Sequence, residues 1–161
     1  TLIEVLETVP SKAQIIIEIK CGKEVISPLI EILKTSNLSN AQIEIIAFNF
    51  EVITEMKKQA PYYKALWLLD LDYYLPHWLI RVKPKKIIQK VVENQLDGVN
   101  VWAGKTINQS FVKAFSNKGL LVYVWTVNDL NKAQNVINYG VDAITTDRAE
   151  WLMKQLVGTK Q

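Results

Sequence analysis

Short, nearly continuous apolar runs alternate along the chain with longer segments whose apolar residues recur every third or fourth position. The first kind predicts strands and the second amphipathic helices, because side chains alternate across a strand and wind around a helix. Strands are expected at "IIIEI" (15–19), "IEIIAFN" (43–49), "KALWLLD" (64–70), "DGVNV" (97–101), "LLVYVWT" (120–126) and "DAITT" (142–146). Helices are expected at 24–36, 50–60, 84–95, 107–118, 129–138 and 148–157. The opening "TLIEVLETVP" reads as a helix already under way, with Leu2, Val5, Leu6 and Val9 on one face. Gly119 and Gly140 fall just past a helix and just before a strand, where a left-handed cap favours a residue without Cβ. Pro84 suits a first helical turn, and Asp129 and Asp147 suit N-caps. No Gly- or Ser-rich linker interrupts the series, so residues 1–161 are expected to form one domain.

Strict alternation of strand and helix predicts a parallel sheet covered by helices. That expectation changes the meaning of a charge inside a strand. In "IIIEIK", Ile15, Ile17 and Ile19 share one face while Ile16, Glu18 and Lys20 share the other. On a half-exposed strand the Glu–Lys pair would contribute almost nothing. In a sheet covered on both faces it must point into a site or a closed barrel. Glu18 and Lys20 also stand at the C-terminal end of their strand, where active sites of α/β folds gather. Phe48 ends the second strand, Asn100 and Trp102 share a face of the fourth, and Tyr123, Trp125 and Val127 share one of the fifth. Such a rim suits a small, polar, anionic ligand. Glu can hold a hard cation, Lys can neutralise a phosphate oxygen, and an indole can pack on a carbon skeleton. Core packing competes with this role for the aromatics, above all for Phe48.

Composition narrows the partners. A formal charge of +3, with no basic stripe interleaved with aromatics, argues against nucleic acid. At 49% hydrophobic and 22% charged residues the chain has an ordinary globular composition, and 161 residues can bury a substantial core. The single cysteine, Cys21, excludes an internal disulfide and is expected to be a buried, inert thiol. No apolar run is long enough to span a bilayer and no signal peptide opens the chain, although it begins abruptly. Cysteine poverty is compatible with periplasm and cytoplasm alike, the cytoplasm slightly favoured.

The motifs "IIIEIK", "AFNFEVITEMKKQAP", "LDGVNVWAG", "GLLVYVWTVND" and "GVDAITTDRAEWL" occur in that order. Together they resemble the later part of the glycerophosphodiester phosphodiesterase family, a (β/α)8 TIM-barrel hydrolase. The resemblance covers nearly the whole chain, and its most specific piece is "VYVWTVND" followed a helix later by "GVDAITTDR". It implies Glu18 as a ligand of a divalent cation (Mg or Ca), Lys20 as a contact to the substrate phosphate, and Trp125 as a wall of the glycerol pocket. Phe48 falls where the family has a Ser-Phe pair, with Ala47 in place of the Ser. Asn100 joins the expected substrate-binding set from its place on the fourth strand.

Other family features are absent. The His-Arg-Gly strand, the Pro-Glu-Asn-Thr segment, the Glu-x-Asp metal pair and the His-Asp step do not occur, and the only histidine, His77, matches neither family position. Cleavage by the family's route needs two imidazoles, and one carboxylate is a poor cage for a cation wanting several oxygens. Six strand–helix units fall short of the eight of a closed barrel. The expectation is therefore an α/β chain of TIM-barrel type truncated to about six units. Its first two strands would be deleted, cleaved, absent from this sequence, or supplied by a second chain.

The intact parent would hydrolyse glycerophosphodiesters to glycerol 3-phosphate and an alcohol, no catalytic residue would lie within this chain, and the chain alone would be inactive. The alternative is a non-catalytic module that binds a phosphorylated ligand or a protein partner. Within the least family-like stretch, Asp70 and Asp72 alternate onto one strand face and could bind metal, although loop aspartates ending a strand are commoner. Tyr73, Tyr74 and Trp78 could line an alcohol pocket, lie on a membrane surface, or pack under the next helix. Arg81, Lys83, Lys85 and Lys86 read as a solvated face that would draw anions if it stood near a barrel mouth.

Overall fold

The computed structural model describes residues 1–72 and 84–158. His77, Tyr73, Tyr74, Trp78, Arg81 and Lys83 lie outside the described residues. The chain forms two compact units, Thr1–Leu68 with Val91–Asp97, and Leu69–Lys90 with Gly98–Gln161.

In the first unit three parallel strands, β1 (Ile15–Glu18), β2 (Ile43–Ala47) and β3 (Lys64–Leu69), lie in that order. Helices α1 (Leu2–Glu7), α2 (Ile26–Thr35) and α3 (Phe50–Gln59) alternate with them. The register sets Glu18 beside Ile46, and Ile46 beside Leu66. All five residues of β2 are buried, and Ile43 and Ile45 are wholly enclosed, as are Ile26 of α2 and Ile53 and Met56 of α3. Each such side chain contributes roughly 1.5–3 kcal/mol relative to exposure. Strand β1 ends the order and is only half covered, with Ile16 41% exposed.

Local chemistry explains where elements start and stop. Asn49 caps α3, its Oδ1 accepting from the amides of Glu51 and Val52. The segment expected as a helix from residue 24 enters through a 3-10 turn at Lys23–Val25, and Pro28 falls in the first turn of α2, where no intrahelical donor is lost. Helix α1 is shorter than its periodicity suggested. It stops at Glu7, before Pro10, and Val9 lies outside it.

The second unit repeats the theme with β4 (Gly98–Trp102), β5 (Leu121–Trp125) and β6 (Ala143–Ile144), parallel and in that order. Helices α5 (Gln109–Ser116), α6 (Leu130–Tyr139) and α7 (Ala149–Gly158) follow the strands, and α4 (Pro84–Glu93) precedes β4, starting at its proline as expected. Val99, Val101, Val122 and Val124 are fully buried on one strand face, with Phe111, Val112 and Phe115 of α5 also in the core. Gly140 ends α6 at φ +87°, and Gly119 follows α5 at φ +70°. Asp129 caps α6 through the Lys132 amide.

Within each unit one aspartate makes a matched pair of hydrogen bonds to a strand residue. The Asp97 amide donates to Ala65 O at 3.0 Å while its Oδ2 accepts from the Ala65 amide at 2.8 Å. Likewise the Asp142 amide donates to Val122 O at 2.9 Å while its Oδ2 accepts from the Val122 amide at 2.8 Å. In both cases a carboxylate continues the ladder where the backbone leaves off.

Three expectations are corrected. Asp147 does not cap α7; its amide and carboxylate both bond Asn128, which places it in a loop-to-loop tie. Asp70 and Asp72 do not alternate on a strand face, because β3 stops at Leu69 and Asp70 Oδ1 accepts from the Asp72 amide in a tight turn. Cys21 is exposed, since it lies beyond the end of β1 in the loop leading to α2 rather than beneath a helix.

Candidate functional site

In the first unit the site begins with the charged end of β1. Glu18 is its last residue, and the ladder continues one step further through the Ile19 amide to Ile46 O at 2.9 Å. Lys20 therefore leaves the strand on the same face as Glu18, and its Nζ lies 3.6 Å from Glu18 Oε2. The Glu18 side chain is 29% exposed and that of Lys20 78%. An ion pair this open contributes well under about 1 kcal/mol to folding. Phe48 follows β2 at the same end, half exposed, with its carbonyl accepting from Trp67 Nε1 at 3.1 Å. Phe50 packs against that indole at 4.5 Å between ring centres.

In the second unit Asn100 and Trp102 pair in register with Tyr123 and Trp125, so the four occupy one strand face opposite the valine core. The rings of Trp102 and Trp125 meet edge to face at 5.2 Å, and Trp125 Nε1 donates to Asn100 O at 3.4 Å. Asn100 is 2% exposed, and its Oδ1 is the one buried side-chain polar atom among the described residues with no hydrogen-bond partner. A buried acceptor left open in this way is a candidate contact for a hydroxyl or amine from outside the chain. The Trp125–Thr126 peptide is cis.

The loop after β5 is held by the loop after β6. Val127 donates its amide to Thr145 O at 2.9 Å, and Asn128 Oδ1 accepts from Thr146 Oγ1 and from the Asp147 amide, both at 2.9 Å. Asn128 Nδ2 completes the tie by donating to Asp147 Oδ2 at 2.7 Å. The "WTVND" and "TTDR" segments thus form one interlock at the C-terminal ends of two adjacent strands. Sequence reading paired these motifs without the physical link between them. It also passed over Lys105 and Lys132, which come to lie beside Trp102; no local pattern signals that placement.

Elsewhere the polar groups are structural. Glu44, 1% exposed on β2, pairs with Lys64 of β3 at 2.9 Å. Lys57 of α3 donates to Pro61 O, Tyr63 O and Asp97 Oδ2 at 3.0, 3.0 and 2.7 Å. Burial pushes the Tyr63 phenol above its ordinary range, with neighbouring Tyr62 adding to the effect. Lys85 and Lys86 are exposed on α4, as a solvated face requires. A hollow of about 320 Å³ lined by Ile3, Leu6, Val9 and Ile32 lies by chain connectivity at the N-terminal ends of the strands, away from Glu18. No helix among the described residues is long and apolar enough to cross a membrane.

Mg²⁺ and Ca²⁺ take at least about six oxygen ligands. Among the described residues no three His, Cys, Asp or Glu side chains come together to hold an ion. Asp72 offers nothing further, because its Oδ1 accepts from Thr106 Oγ1 and its Oδ2 from the Lys105 amide. These residues alone do not fit a divalent cation.

Comparison with known proteins places this architecture. The profile of the glycerophosphoryl diester phosphodiesterase family matches residues 2–151. Among solved structures, a protein of Silicibacter pomeroyi DSS-3 superposes with a TM-score of 0.80 at 17% identity, covering 98% of this chain and 56% of its own. A glycerophosphodiester phosphodiesterase from Thermotoga maritima gives 0.75 at 24% identity, over 96% of this chain and 63% of its own. An Oleispira antarctica phosphodiesterase, solved with the product sn-glycerol-3-phosphate, gives 0.67 at 17% identity, over 86% and 53%. At these identities the likeness shows the fold: a TIM-barrel type truncated to six parallel strands with alternating helices. This chain spans between about half and two thirds of the length of the structures it matches. No curated protein matches it.

Proposed function

Because this chain belongs to the glycerophosphoryl diester phosphodiesterase family, we propose that it carries the phosphate- and glycerol-binding part of a site that hydrolyses glycerophosphodiesters to glycerol 3-phosphate and an alcohol. The observation that carries the proposal is the placement of Lys20 and Glu18 side by side at the C-terminal end of β1. Lys20 is assigned to a phosphate oxygen, where an ammonium offsets charge that grows as the P–O bond breaks. Glu18 is assigned as one oxygen ligand in a cation site whose remaining ligands come from outside these residues, from a further segment or a second chain. Trp125 and Phe48 are assigned as apolar walls against the glycerol carbons, and Asn100 Oδ1 as the acceptor for one of its hydroxyls.

Proton transfer is assigned to residues beyond this set, and the chain by itself is expected to be inactive. Release of glycerol 3-phosphate from a glycerophosphodiester above background by the purified chain, with Mg²⁺ or Ca²⁺ present, would refute that assignment. Binding tests the rest. Calorimetric titration with glycerol 3-phosphate should give an affinity about tenfold lower for Lys20→Ala than for the unaltered chain, the scale of one charge-assisted contact partly screened by water. Equal affinities would remove Lys20 from the site. A non-catalytic phosphoryl-binding or interaction module from the same barrel is the second reading, favoured by the scattered donor set. Turnover by a protein that joins this chain to a complete barrel would exclude it.

A further inference from the structure

The second unit carries a shallow, open depression of about 430 Å³ at the C-terminal end of β4, lined by Asp72, Trp102, Ala103, Gly104, Lys105 and Lys132. Two of its residues are cations. Lys132, half-buried at the start of α6, holds its ammonium 5.3 Å from the centre of the Trp102 ring. Lys105 lies in the loop that leaves β4. The acid of the group faces inward to its own loop, both Asp72 oxygens accepting hydrogen bonds at 2.6 Å, from the Lys105 amide and from Thr106 Oγ1, and its single charge leaves the two ammonium groups in excess. That latch draws the loop in so closely that a Cβ on Gly104 would fall 1.7 Å from Asp72 Oδ2. The cationic face is thus held by a fixed loop.

Trp102 also touches Trp125 edge to face, so one indole lines the depression and the next is the residue assigned above to the glycerol carbons. An indole face next to a phosphodiester site would ordinarily receive a cationic headgroup such as a quaternary ammonium. Here the chain's own ammonium already stands over that ring. The lining carries two ammonium groups against the one Asp72 carboxylate, so its net charge favours an arriving anion over a second cation.

We propose that Trp102, Lys105 and Lys132 form the subsite for the departing alcohol, and that it selects glycerophosphodiesters whose alcohol is anionic over those whose alcohol is a quaternary ammonium. The selection rests on the assignment of Trp125 to the substrate pocket. Lys132 and Lys105 are specificity residues and take no part in proton transfer.

The test follows the indole N–H resonances of Trp102 and Trp125 by NMR while the full chain is titrated with four probes. These are glycerol 3-phosphate, glycerophosphoinositol phosphate, glycerophosphocholine and inorganic phosphate. Glycerol 3-phosphate should move Trp125. Glycerophosphoinositol phosphate should move both indoles and bind at least about tenfold more tightly than glycerophosphocholine, a ratio that added salt reduces. Lys132→Gln and Lys105→Gln, which keep the backbone amides that bond Asp129 and Asp72, should each cut the ratio to within about threefold and leave the glycerol 3-phosphate response of Trp125 intact. Equal or tighter binding of glycerophosphocholine overturns the selection, as does a ratio unaffected by both variants. Inorganic phosphate moving Trp102 as strongly as the phosphoinositol probe overturns the headgroup assignment, leaving a general anion spot. A Trp125 response with Trp102 silent overturns the subsite alone. Silence of both indoles overturns the subsite and the pocket reading together.

Discussion

Replacing Lys57 by Met should cost far more stability than its surface-lysine chemistry suggests. The side chain is only 10% exposed and spends all three ammonium protons, on Pro61 O, Tyr63 O and Asp97 Oδ2. Methionine keeps most of the apolar stem packed, so the loss falls on the acceptors. Tyr63 O sits in a buried bond and would be left without its donor, at about 1–3 kcal/mol. Pro61 O is only partly buried and can turn to water, so its share is about 0.5–1 kcal/mol. Asp97 is 31% exposed, and its Oδ2 keeps the Ala65 amide, so the ion-pair share is discounted to about 1 kcal/mol. The expected total is about 2.5–5 kcal/mol, read from urea unfolding followed by far-ultraviolet circular dichroism with the slope unchanged. Lys23→Met is the control. Its lysine pairs with Glu51 at 3.0 Å, but the two side chains are 50% and 76% exposed, and the loss should stay within about 0.5 kcal/mol. Should Lys57→Met lose less than about 1 kcal/mol, or no more than Lys23→Met, the reasoning from burial is wrong.

Two further outcomes follow from the same packing. Gly98→Ala would set a Cβ 2.1 Å from Leu121 O on the paired strand, with only backbone to yield, and should destabilise by about 3 kcal/mol or more; a variant with an unchanged urea midpoint would contradict the β4–β5 geometry. Burial raises the Tyr63 phenol above its ordinary value of 10.0. The unfolded chain therefore loses that proton first, so the contribution is complete below about pH 10 and disappears as pH climbs through the raised folded value. Urea midpoints should fall more steeply in this alkaline window for the natural chain than for Tyr63→Phe, and parallel curves would count against the shift.

Much of this architecture was readable from patterning, because a covered parallel strand must be apolar and a helix lying on it must be amphipathic. The six strands and their helices fall where the periodicity placed them, to within a residue or two in most cases. What escaped was determined by contacts and positions that the apolar pattern does not encode. Asp147 has the chemistry of a helix cap, and only Asn128, from the loop after a different strand, turns it to another use. Asp70 and Asp72 alternate like strand residues, yet a side chain-to-amide bond between them closes a turn instead. Cys21 was judged by the average behaviour of its residue type, when its position past a strand end decides its exposure. At the site, the Glu18–Lys20 adjacency was legible because both residues belong to one short segment. The stacking of Lys132 on Trp102 was not, since it depends on how α6 returns over the end of β4.

The carboxylate of Asp142 has a consequence for how such a chain can diversify. It fixes the alignment of β6 on β5 just before the incoming strand begins, ahead of any loop at the opposite end. Length changes in the segment after Trp125 would then be absorbed locally, without sliding the two strands past one another. Chemistry can be revised at one end of the sheet because its indexing is secured at the other.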